Sequence, residues 1–186
     1  KCYSKLFEII KKHTSADFLV DTSKDPRRLI ELFNEEKIKL EVIYLIRDGR
    51  AYANSYNKKS RENIGLKRKN YLASLLKWTL INLISLRVLK KFNTPHLKIS
   101  YDEFCKNPER SLNEINKKFD TNIRLEEALK KINTQEYHQI CGNLNTFKNI
   151  QKLRYDNKWK KQQNLLNKII GTMITYPLKE KLVYKK

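Results

Sequence analysis

The sequence predicts an α/β domain built on parallel strands. Short apolar runs alternate with segments of helical periodicity, and that alternation needs crossover connections, which join parallel strands. Residues 40–46 form a nearly unbroken run of β-branched and aromatic side chains, as in a strand covered on both faces. With 186 residues, 40% of them hydrophobic, the chain is one domain's worth (1–186) and can bury a core.

The elements follow in order. Residues 2–13 read as a helix with Leu6, Phe7, Ile9 and Ile10 inward. Residues 17–22 read as a strand ending in a polar turn. Residues 25–34 read as a helix with Pro26 in its first turn, Ser23 as a candidate cap, and Leu29, Ile30, Leu32 and Phe33 inward. The strand at 40–46 ends at Arg47, and Asp48 can cap a helix that Gly49 opens and that carries Ser55. Residues 57–70 are polar and basic and read as a loop. A long helix over 71–92 is apolar on most faces, hence central. A short strand at 96–99 and a helix at 109–119, with Leu112, Ile115 and Phe119 inward, follow. After a segment at 125–132, residues 133–155 are irregular and rich in Asn. A last helix covers about 159–174, before Pro177.

The formal charge of +20 implies an anionic partner, or lysines spread over solvated faces. The basic clusters Lys58-Lys59, Lys67-Arg68-Lys69 and Lys160-Lys161 are not interleaved with aromatics along the chain, as a strand-binding platform would need. Residues 72–89 come closest to a membrane span, but Lys77, Asn82 and Arg87 interrupt them. Cys2, Cys105 and Cys141 fit neither a zinc pattern nor a disulfide scaffold. No His and carboxylate spacing suggests a metal site: His13 ends a helix, His96 begins a strand, and His138 lies near Gly142-Asn143.

Chemistry concentrates after the strand at 40–46. A guanidinium at its carboxyl end, amides at a helix entrance and a hydroxyl two turns on can address one anion. Phosphate suits such a place, because open α/β sheets bind ligands beyond their strands' carboxyl ends.

Residues 42–55, Val-Ile-Tyr-Leu-Ile-Arg-Asp-Gly-Arg-Ala-Tyr-Ala-Asn-Ser, resemble the 3′-phosphate-binding motif of sulfotransferases that use 3′-phosphoadenosine-5′-phosphosulfate (PAPS). Gly49 stands where many members have Pro. Three further blocks occur in the family's order. Phe18-Leu19-Val20-Asp21-Thr22-Ser23-Lys24 is similar to an Asp-Ser-Ser-Lys stretch of carbohydrate-type members. His96 to Phe104, with Asn107-Pro108, is similar to a strand with Tyr-Glu-Asp-Leu and a later Pro. Gly142-Asn143, Phe147, Asp156 and Trp159 resemble a Gly-Asn…Phe…Asp…Trp region. The resemblance covers about residues 18–159. Thr146 departs from an expected Arg. None of Gly49, Gly65, Gly142 and Gly171 lies in a loop resembling the family's Ser-Gly-Thr phosphosulfate cradle. The chain is therefore expected to be the C-terminal portion of a sulfotransferase domain, inactive by itself.

The resemblance implies a P-loop-like three-layer α/β/α fold with a mostly parallel sheet. It implies transfer of a sulfuryl group from PAPS, as co-substrate, to a hydroxyl of a small-molecule or glycan acceptor, without a metal. Arg47 and Ser55 would bind the 3′-phosphate. Gly142 and Asn143 would present backbone and amide groups near the nucleotide, or merely form a tight turn. Lys24 would assist the transferring group, or be a surface lysine at a helix entrance. Asp21 would serve as base, or be a turn residue. The expected location is cytoplasmic, or the Golgi lumen if a membrane anchor lies upstream. Two rivals stand beside this reading. One is a basic nucleic-acid-binding module. The other is a nucleotide kinase-like P-loop protein, which the lack of a Gly-Lys-Ser or Gly-Lys-Thr loop opposes.

Overall fold

A computed structural model describes residues 2–14, 16–35, 37–58, 66–134, 153 and 155–179. Those residues form a mixed α/β, mostly helical structure around a two-stranded parallel sheet. Helix α1 (Cys2–Thr14) meets α2 (Pro26–Phe33) through polar groups. Tyr3 donates to Glu31 at 2.9 Å, Ser4 bonds Glu35, and Arg28 lies 4.2 Å from the Tyr3 ring centre. The expected inner face holds only in part: Phe7 and Ile10 are half-buried, while Leu6 and Ile9 are exposed. Lys11, Lys12 and His13 fill the last turn, where cations complement the helix dipole.

The expected strand at 17–22 is not a strand. Its backbone finds no ladder partner among the described residues, and Val20 is 83% exposed. An apolar run becomes a strand only where another strand accepts its hydrogen bonds. Asp21 instead closes a turn, accepting from the Ser23 amide at 2.8 Å. Lys24 then adopts a left-handed backbone, φ 61°. Asp25, not Ser23, caps α2 by accepting from the Arg27 amide at 2.9 Å, with Pro26 at the first position.

Strand β1 (Val42–Ile46) pairs in parallel with β2 (His96–Ser100), from Val42 opposite His96 to Ile46 opposite Ser100. The expectation that residues 40–46 are covered on both faces is overturned. Tyr44 and Ile46 point into the core, whereas Ile43 and Leu45, the latter 56% exposed, face outward. Helices cover one face of β1 only among the described residues, and strand alternation sends every second side chain the other way.

Between the strands run α3 (Gly49–Asn57) and α4 (Tyr71–Lys91). Asn70 caps α4 by accepting from the Ala73 amide at 3.2 Å. Asn93, in the left-handed region at φ 46°, lies just beyond its end. By length and composition α4 could cross a membrane. Its inner line nevertheless packs on protein. Trp78 meets Ile46, and Asn82 accepts from the Tyr44 hydroxyl at 2.7 Å. Its other face exposes Leu72, Leu76, Leu80 and Leu83, so α4 is one-sided rather than central.

After β2 come α5 (Tyr101–Lys106), α6 (Pro108–Phe119) and α7 (Leu125–Thr134). The last expected helix is two: α8 (Trp159–Gln162) and α9 (Leu165–Lys179), with Pro177 inside α9. The break follows from Gln163. Its backbone turns extended while its buried side chain donates to the Arg50 carbonyl at 3.0 Å. Asn164 then restarts the helix by accepting from the Asn167 amide at 2.9 Å. Helix α9 closes the core against α3 and α4. One cluster joins Ile46, Trp78 and Leu178, and a second joins Ala53, Tyr71 and Leu75 with Ile174 against them. Gly49 is needed at this crossing: a Cβ there would stand 2.7 Å from Thr175 and 2.8 Å from Trp78.

Candidate anion site

The strand-to-helix turn after β1 is fixed from three sides. Trp78 Nε1 donates to the Arg47 carbonyl at 3.1 Å. Asp48 caps α3, accepting from the Arg50 amide at 2.8 Å. Its carboxylate also holds the Arg50 guanidinium, with contacts of 3.1 and 2.7 Å. That hydrogen bond raises the Arg50 pKa further. Arg50 also donates to Thr172 at 3.0 Å and lies 4.8 Å from the Trp159 ring centre. Arg50 is thus spent on tying α3 to α8 and α9.

Arg47 is not. Its guanidinium lies 5.0 Å from the Tyr101 ring centre, and its side chain is 32% exposed. It approaches Asp156 at 3.8 Å, longer than a good charged hydrogen bond of about 2.7–2.9 Å. Its Nε is buried with no hydrogen-bond partner among the described residues. Lys58, at the carboxyl end of α3, approaches the same Asp156 at 3.9 Å. Ser55 lies on α3 one turn before Lys58, half-buried, and donates to the Tyr52 carbonyl at 2.7 Å.

Besides Tyr101, which flanks Arg47, a second tyrosine directly precedes Asp156 in the chain. Tyr155 donates to Asp102 at 3.0 Å, with Lys106 at 5.3 Å and Lys160 at 6.0 Å from its ring centre. Burial, then the Asp102 carboxylate, pushes the Tyr155 hydroxyl up to about 12. Burial likewise raises Tyr101 and the Cys105 thiol.

Arg47, Lys58 and Asp156 are therefore brought together, with Ser55 on the helix that Lys58 ends. Asp21 and Lys24 make no hydrogen bond or ion pair to Arg47 or Ser55 among the described residues. Asp21 is bound to Arg28 Nε at 2.5 Å. Partial burial pushes its carboxyl up, but the Arg28 and Ser23 hydrogen bonds outweigh this and hold it below its ordinary value. Lys24 is exposed. The segment that carries them is not a strand and does not join the sheet beside β1. Gly142, Asn143 and His138 lie outside the described residues, as do residues 59–65 of the loop at 57–70. A shallow depression lined by Lys106, Pro108, Arg110 and Leu125 includes neither Arg47 nor Ser55. Sequence reasoning missed Lys58 and Tyr155 as site residues and touched Asp102 only within the His96–Phe104 block. The Lys58-Lys59 doublet was the visible signal for the first; Tyr155 had none, because its contact to Asp102 crosses a long stretch of chain.

In comparisons with known proteins, no family model, curated protein or solved structure matches this chain.

Proposed function

We propose that this chain carries the 3′-phosphate-binding part of a PAPS-dependent sulfotransferase domain. The observation that carries the reading is Arg47. It leaves a parallel strand, precedes an Asp-capped helix bearing Ser55, and keeps unspent hydrogen-bonding capacity on its guanidinium. A phosphate monoester there would take charge-assisted bonds from Arg47 and a single bond from Ser55 once that hydroxyl turns from the Tyr52 carbonyl. The finer fold, a P-loop-like three-layer α/β/α domain, belongs to the same proposal. The β1–α3–α4–β2 crossover supports it, and a second layer would cover Ile43 and Leu45. The reaction would move a sulfuryl group to a hydroxyl, a sugar hydroxyl by the resemblance. Asp21 is the weaker part of this reading, since a carboxylate held by Arg28 is a poor proton acceptor.

A basic nucleic-acid-binding module is the second reading. The structure sets cations on aromatic rings that are apart in sequence, such as Lys69 at 5.4 Å from the Tyr56 ring centre. Stacking faces beside cations suit single strands.

Calorimetric titration separates the two. The chain is expected to prefer adenosine 3′,5′-diphosphate over 5′-adenylate. Arg47→Ala removes most of that preference, about 2–3 kcal/mol, and Ser55→Ala costs about 1 kcal/mol. Equal affinity of the unmodified chain for both nucleotides would sink the sulfotransferase reading. A nucleic-acid module instead binds every polyanion with a steep salt dependence.

A further inference from the structure

We infer that Lys58 is a third member of the anion site and that Asp156 is its resident counter-ion, which an incoming phosphate must displace. The inference rests on the 3′-phosphate reading of Arg47 and deepens it. Lys58 and Arg47 enter from opposite ends of α3, yet both stop at one carboxylate, at 3.9 and 3.8 Å. The two side chains and Asp156 are each about one-third exposed, so the trio borders solvent and a ligand can reach it. Both separations exceed the range of about 2.7–3.2 Å in which an N–H donates well to oxygen. The carboxylate therefore neutralises the cations without satisfying them, and Arg47 Nε stays unbonded among the described residues. A phosphate monoester carries more charge and three acceptor oxygens, enough to engage both cations at once. Asp156 then competes with the ligand for the same two partners, and its presence sets the site's threshold: weak monoanions fail to displace it, while a terminal phosphate succeeds.

The test uses the full chain, with adenosine 3′,5′-diphosphate and 5′-adenylate as probes in calorimetric titrations at fixed ionic strength. Asp156→Asn is the informative variant. Asn keeps the Oδ1 that accepts from the Lys158 amide at 3.1 Å, so the local turn survives. It is expected to tighten the diphosphate about tenfold and 5′-adenylate by less, because adenylate lacks the 3′-phosphate that the site is built to hold. Lys58→Gln is expected to weaken the diphosphate about tenfold, and the double variant to lose the gain. Glu126→Gln, exposed on α7, makes the same change in net charge and is expected to alter neither titration. Melting curves in inorganic phosphate give a second readout, with a larger stabilisation by phosphate in Asp156→Asn than in the unmodified chain. If Asp156→Asn binds the diphosphate no more tightly, or only as much more tightly as Glu126→Gln does, the counter-ion is overturned. If Arg47→Ala loses the 3′-phosphate preference while Lys58→Gln keeps full affinity, the role of Lys58 is overturned and the 3′-phosphate reading stands. If the unmodified chain does not discriminate the two nucleotides, both fall together.

Discussion

Asp48 shows how one side chain sets up the site without facing a ligand. It terminates the turn after β1, satisfies a free amide of α3, and neutralises Arg50, which would otherwise compete with Arg47 for any anion at the helix entrance. Its side chain is nearly buried, so truncation leaves the Arg50 charge partly buried and unpaired as well as removing a cap. Asp48→Ala is expected to cost about 2–4 kcal/mol in denaturant unfolding, the sum of a lost cap and a broken, partly buried pair. Asp48→Asn keeps the capping oxygen and is expected to recover about 1 kcal/mol of that loss. Equal destabilisation by the two variants would show that the cap contributes nothing.

At the scale of elements, α4 decides what the turn can hold. Its inner line, Tyr71, Leu75, Trp78 and Asn82, reaches α3, α9 and β1 in succession, and Trp78 both fills the core and holds the Arg47 carbonyl. The opposite line is as apolar but touches water. Leu75 is 0% exposed and Leu76 53% exposed, although composition cannot tell them apart. Leu75→Ala is expected to cost about 2–5 kcal/mol, because it opens a cavity between α3, α4 and α9. Leu76→Ala is expected to stay within about 0.5 kcal/mol. Comparable losses in urea melts would mean that the second face is also packed. Helix α9 completes the arrangement. Its split from α8 at Gln163 lets α9 lie against α3 and α4 while Trp159 stays under Arg50.

Across the molecule, a charge of +20 sits over a core edged by tyrosines. Burial raises the hydroxyl pKa values of Tyr44, Tyr71, Tyr101 and Tyr155, the last to about 12. In the unfolded chain a tyrosine ionises near about pH 10. Each of these groups therefore contributes stability that is fully present below about pH 10 and is lost as pH rises through its folded value. Stability is expected to fall between about pH 10 and pH 12, with Tyr155→Phe flattening part of that slope. Absorbance titration of phenolate checks this: a group of tyrosines should ionise late and together with unfolding. Smooth titration of all ten near about pH 10 would contradict the buried assignments.

What the sequence determined by itself is local. Pro26 in the first turn of α2 and Asp48-Gly49 opening α3 were legible, because a cap acts on amides two or three residues away and needs nothing more distant, whereas Ser23 was read as the cap that Asp25 supplies. That the strands run parallel was also legible, since the residues between them suffice for a helical crossover, but that the strand at His96–Ser100 is the one paired with β1 was not. Arg47 and Ser55 were readable as a pair for the same reason: one turn and one helix relate them. The tertiary structure alone decided the rest. Whether residues 17–22 pair, and which face of β1 is covered, depends on partners that local periodicity cannot name. The break at Gln163 depends on an acceptor on Arg50, and the meeting of Arg47, Lys58 and Asp156 joins residues about a hundred positions apart. Charges that distant in sequence interact only after the core has closed, because an ion pair in open chain is screened by water and too weak to select its own geometry.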